Sequence, residues 1–125
     1  GVLGLMLLLD QFPRNAFRGS AHSYATDPLA RHYAMRAIEE GMDLQLEAAL
    51  RAFVYLPFEH SEDPVDQERS VAMFQALGEP QYLEHALIHR EVISRFGRFP
   101  HRNAALGRIP RVEELEYLAN GGFSA

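Results

Sequence analysis

The chain contains no cysteine, so disulfides, thiolate nucleophiles and thiolate metal sites are excluded together, and a reducing, cytoplasmic location is expected. Its longest greasy run, Val2 to Leu9, falls far short of the roughly 20 residues that cross a bilayer. Neither a basic flank nor a small-residue cleavage site accompanies that run, so no membrane span and no secretory signal is read from it. There is no Gly-x-Ser-x-Gly elbow, no phosphate-cradling glycine loop and no dinucleotide fingerprint, and no cofactor is expected. Positive charge is also in deficit. A formal net charge of -5 opposes the backbone attraction on which nonspecific nucleic-acid binding depends.

Lysine is missing too: all 12 basic side chains are arginine. The planar five-donor guanidinium suits carboxylate or phosphate, although a lysine-free chain equally follows from biased genomic composition. Many of these arginines fall in two near-copies of one motif. The first reads Asp10-Gln11-Phe12-Pro13-Arg14-Asn15-Ala16-Phe17-Arg18-Gly19, and the second Gly97-Arg98-Phe99-Pro100-His101-Arg102-Asn103-Ala104-Ala105-Leu106-Gly107-Arg108. Each sets Phe-Pro, then Arg-Asn, then a glycine four residues after the Asn, which predicts two rigid turns presenting polar groups just outside hydrophobic segments.

If the two ends of the chain approach, Arg14, Arg18, Arg98 and Arg102 would line one pocket, with Asn15 and Asn103 as neutral donors or acceptors. Such a pocket prefers a small anion, a phosphorylated metabolite or a carboxylate-bearing peptide end. The structural alternative has both asparagines closing their own turns while the arginines pair with Asp10, Glu59 or Glu62 and pin loops between helices.

With 125 residues and 47% apolar composition, one domain over residues 1–125 with a real core is expected. Its elements read as helices, and no strand alternation persists. Residues 2 to 12 form an apolar helix that begins abruptly at Gly1, which suggests that the natural polypeptide extends upstream. Asp27-Pro28 opens a helix to about Glu40, with Leu29, Tyr33 and Ala37 as its buried stripe. Asp43 caps a second one that Pro57 stops. Asp63-Pro64 starts a third to Leu77, Pro80 a fourth to Phe96, and a last short helix from about Arg111 to Ala119 buries Leu115 and Leu118. The two Asp-Pro starts lie 36 positions apart, close to the period of tetratricopeptide helix pairs. The expected fold is therefore all-α, with stacked antiparallel helical hairpins forming a short solenoid or a compact right-handed array.

Two further groups carry chemistry. Glu59 and His60, with Ser61 and Glu62, follow the Pro57 break, where His60 reads as a general base or metal ligand oriented by a carboxylate. Alternatively they satisfy open helix ends. His85 and His89 share a helix face and could chelate a metal with a third ligand, yet Ala86 stands where a metallopeptidase motif needs Glu, so partly buried, satisfied histidines are the preferred reading and no metal is expected. His22 and His32 read as ordinary polar residues.

The strings LLLDQFPRNAFRG, YLPFEHSED and ISRFGRFPHRNAALGR, in this order, resemble the bacterial domain-of-unknown-function family numbered 924. That resemblance spans almost the whole chain and implies an all-helical, tetratricopeptide-like protein whose front portion lies before Gly1. It supplies no reaction. Ile109-Pro110 departs from the Ser or Thr cap more usual before the last helix, which shifts only where that helix starts. Three function classes follow. The leading expectation is a protein or peptide interaction module with an arginine-lined groove. Next is a small-anion pocket or hydrolytic enzyme using Glu59, His60, Arg98, His101 and Arg102, and last a purely structural partner. Self-association is compatible with each.

Overall fold

Pro13 dictates how the chain begins. The computed structural model describes residues 1–124, with the side chains of Val2 and His22 outside that description, so the reading of His22 falls there as well. Its first segment is one continuous helical rod made of α1 (Val2–Met6), a π-helical turn (Leu7–Gln11) and α2 (Phe12–Ala16). A proline has no N–H to donate, and its ring crowds the carbonyl one turn back. The rod widens into the π turn at that point, and the released carbonyls find other donors: the Thr26 hydroxyl donates to Leu9 at 2.5 Å and the Arg14 guanidinium to the Asp10 carbonyl at 3.0 Å. The first Phe-Pro motif is thus helical, where a turn was expected.

The remaining elements are α3 (Asp27–Glu39), α4 (Ala48–Glu59), α5 (Pro64–Leu77), α6 (Pro80–Phe96) and α7 (Val112–Ala119), with 3-10 turns at Ala21–Tyr24, Asp43–Gln45 and Pro100–Arg102. The protein is all-α, with no strand among the described residues. The boundaries of α5 and α6 match their signals. Asp63 accepts the Val65 N–H at 2.9 Å, and Gly78 and Gly97 stop their helices in the left-handed region at φ 83 and 74, a conformation that costs glycine little.

Four boundaries or faces differ from expectation. Asp43 opens a 3-10 turn instead of capping α4, because its buried carboxylate accepts the Tyr55 hydroxyl at 2.5 Å. Helix α4 also runs through Pro57 to Glu59, and the His60 N–H still reaches the Leu56 carbonyl at 2.9 Å. In α3 the inward stripe is Ala30, Ala34 and Ala37, whereas Leu29 is exposed. Small side chains there let α1 and α4 pack closely on α3. In α7 the buried residue is Glu114, not Leu115, because Arg98 and the Arg111 N–H hold its carboxylate inward.

Each helix from α3 to α6 packs on the next, and α1 lies across α3 and α4. The larger core joins Met6, Val54, Phe58 and Phe74 from three of these helices, and a smaller one joins Val92, Ile93 and Phe96 to Phe99 of the second motif. That smaller core seats the second motif against α6. No helix among the described residues is long and apolar enough to cross a membrane.

Candidate functional site

One clamp closes the C-terminal end of α4 and a second brings the second motif to it. Gln67, fully buried in α5, donates to the Glu59 and Ser61 carbonyls at 2.7 Å each, closing a helix end that would otherwise leave buried acceptors. Glu62 then accepts the Phe99 N–H at 2.5 Å and both Arg108 amino groups at 2.8 and 3.2 Å. Arg108 completes the clamp by donating to the Phe99 carbonyl and the Asn103 side-chain oxygen at 3.0 and 2.9 Å. These bonds hold Glu62 below the usual carboxylate range, outweighing the upward push of its burial.

Between this clamp and the opening rod lies a cavity of about 660 Å³. Arg14, Asn15 and Arg18 of the first motif line it, as do His101 and Arg102 of the second, with Tyr24, Leu56, His60, His89, Phe99 and Phe123 completing the wall. The structure therefore brings together the two ends of the chain, and four of the six residues expected at an anion pocket face one space. The other two lie elsewhere. Arg98 is held by Glu114 at 2.9 and 2.7 Å and by the Ile109 carbonyl at 2.8 Å, while Asn103 is buried and receives Arg108.

The three cavity arginines differ in state. Arg14 bonds Asp10 at 2.9 Å and forms a fork on Asp27 with both contacts at 2.8 Å. Arg102, 6% exposed, lies between the Tyr24 and Phe99 rings at 4.5 and 4.6 Å from their centroids. It donates to the His60 carbonyl at 2.7 Å and stands 4.0 Å from Asp27, but its Nε has no partner. Arg18 is exposed and makes no hydrogen bond or ion pair among the described residues. Burial and the neighbouring Arg14 push Arg102 below the usual guanidinium range, partly countered by Asp27.

Asp10 is the hub beneath the cavity. Only 1% exposed, it accepts Gln11 at 2.5 Å, Arg14 at 2.9 Å and His60 Nδ1 at 2.9 Å. Burial pushes its carboxyl up, but His60 and Arg14 together hold it below its ordinary value. His60 is shifted downward, by burial first and with Asp10 opposing. Burial also takes His89 to about 3 and His101 to about 4, the latter helped by the Arg102 charge. Glu59 moves the other way, to about 8, because it is buried and stands beside the Asp10 charge. Burial thus favours the neutral forms of His60, His89, His101 and Glu59. Arg14, Arg18 and Arg102 against Asp10 and Asp27 leave one positive charge at the cavity in a chain of net charge -5.

Glu59 is the last residue of α4 and His60 its C-cap, so both are held by helix geometry and not by a free loop. His85 and His89 are not presented together: His85 is exposed, while His89 lies on the inward stripe with Ala86, Ile93 and Phe96. The His85 backbone carbonyl takes His89 Nδ1 at 2.7 Å. His89 joins His60 and Glu59 instead. Sequence reasoning missed Asp27, Tyr24, Phe123 and Gln67 as site-building residues. The only local signal was the Asp27-Pro28 pair, which reads as a helix start and gives no hint of a partner 13 residues upstream.

The sequence profile of the family described as bacterial protein of unknown function (DUF924) matches residues 1–122. The chain belongs to this family. A similar solved structure is that of a protein of unknown function, ATU0120, from Agrobacterium tumefaciens, at 56% identity and a TM-score of 0.92, covering 96% of this chain and 68% of that one. No curated protein matches the chain.

Proposed function

We propose that the cavity binds a small anionic ligand with an apolar or aromatic body. Arg18 carries this reading: it stands at the cavity with no ion pair, while Asp10 and Asp27 already hold Arg14. A guanidinium left free beside the one net positive charge of the site is suited to a carboxylate or phosphate. The partnerless Arg102 Nε adds a second donor. Tyr24, Leu56, Phe99 and Phe123 offer rings and methyls for the ligand's body, and the cavity volume fits a metabolite-sized molecule.

An open peptide groove, the leading expectation from sequence, has less support. It needs arginines free along a surface, yet Arg14, Arg98 and Arg102 are engaged by Asp10, Asp27, Glu114 and the His60 carbonyl.

A thermal-shift series with inorganic phosphate, phenyl phosphate and benzoate tests the proposal, run with chelator present. Saturating ligand at about 100 times its Kd stabilises by about 2.7 kcal/mol, a rise of several degrees in Tm. The expected result is such a rise for at least one aromatic anion, largely lost in Arg18→Ala. An equal rise in both proteins, or none with any of the three, overturns it.

A further inference from the structure

We propose that Glu59, His60 and His89 form a binding site for one divalent transition-metal ion in the wall of this cavity. One ligand atom from each of the three lies within 4.8 Å of the other two. His60 and His89 both line the cavity, and Glu59 and His89 are only 4% and 7% exposed. Two imidazoles and one carboxylate are the ligand set of open, three-residue metal centres, in which a further position stays free for water or substrate.

The tautomers carry the argument further than proximity does. His60 Nδ1 faces the Asp10 carboxylate at 2.9 Å, and His89 Nδ1 faces the His85 backbone carbonyl at 2.7 Å. Both partners are acceptors, so each Nδ1 carries the hydrogen and each Nε2 is left with its lone pair available. Carboxylate and carbonyl acceptors behind the imidazoles are the supports that orient metal-binding histidines. Glu59 Oε2 lies 3.7 Å from His89 Nε2, too far for a hydrogen bond. Donors bound at about 2.0–2.1 Å to a tetrahedral ion sit about 3.3 Å from one another, close to this separation. Among the described residues the Glu59 carboxyl makes no hydrogen bond at all. A helix end capped by Gln67 and an inward-turned α6 thus hold three ligand groups together with no bond among them.

The site does not depend on the arginine reading, and its probe is the metal alone. Tag-free protein stripped with chelator is titrated with Co²⁺, followed by visible absorption, and with Zn²⁺, followed by calorimetry. The expected result is one ion per chain for the wild type and for His85→Ala, whose backbone carbonyl is unchanged. Affinity should fall at least tenfold in Glu59→Gln and His89→Asn, and about 10–100-fold in Asp10→Asn, which disturbs the support behind His60. Circular dichroism confirms that each variant is folded, and the near-isosteric Glu59→Gln decides if His89→Asn is not. Failure of the wild type to bind either ion saturably overturns the proposal, as does undiminished binding by Glu59→Gln. Loss of binding in His85→Ala alone assigns the ion to the exposed His85 and overturns it too. Anion binding in the presence of chelator is read separately, so either proposal can fail without the other.

Discussion

The two Phe-Pro-Arg-Asn motifs share their letters and divide their labour. In the first, Arg14 sits inside a helical rod that Pro13 has widened, Asn15 is exposed and Arg18 is free at the cavity. In the second, a 3-10 turn buries Arg102 between two rings and buries Asn103 as an acceptor for Arg108, while Arg98 is tied to Glu114. One copy presents charge and the other builds the wall behind it. A motif's residues therefore acquire their roles from what the backbone turns them toward, since a guanidinium serves equally as ligand donor or as internal clamp.

Removing Arg14 should test this division most severely. Arg14→Ala leaves Asp10 and Asp27 buried without their shared cation, and a loss of about 3 kcal/mol in chemical denaturation is expected. A loss below about 1 kcal/mol would show that the fork on Asp27 is incidental. Arg102→Ala should cost less, about 2 kcal/mol, through its hydrogen bond to the His60 carbonyl and its two ring contacts. An unchanged melting midpoint would remove Arg102 from the structural wall.

His101 is the residue by which the second motif exceeds the first, and it gives the comparison a pH signature. Its folded value near 4 lies below its ordinary 6.5, so between these values the unfolded chain binds the proton that the folded chain refuses. Stability should therefore fall as pH drops from about 6.5 to 4, by up to about 1.4 kcal/mol per unit from this residue. Burial of His89 adds to the same acid limb. His101→Gln should flatten that limb relative to the wild type, and parallel curves would contradict the assignment. The smallest contrast is between the asparagines. Asn103→Ala should cost about 1 kcal/mol by stripping Arg108 of an acceptor, whereas exposed Asn15→Ala should stay within about 0.5 kcal/mol. Equal effects would erase the asymmetry of the motifs.

The helical class and the ends of α5 and α6 were legible from sequence because each rests on local chemistry, with Asp63 at its cap and the glycines at positive φ; the approach of the two motifs entered only as a condition, because nothing local to either fixes a contact at the other end of the chain. Legibility ended where a distant partner overrides a local signal. Asp27 and Asp43 look like caps, yet Arg14 and the Tyr55 hydroxyl take their carboxylates. Pro57 looks like a stop, but Phe58 and Glu59 continue the helix into the core. His85 and His89 are four apart, but α6 turns only one of them inward. The cluster of Glu59, His60 and His89 draws on two helices 30 residues apart, so no spacing along the chain announces it.

The central claim is that the free and the walled arginine face one anion site. The most direct measurement is NMR of the arginine Nε–H resonances during titration with phenyl phosphate. Saturable shifts of Arg18 and Arg102 along one binding curve, with Arg98 and Arg36 unmoved, are the predicted result. Shifts that spread over exposed arginines without saturation, or that leave Arg18 and Arg102 in place, would contradict it.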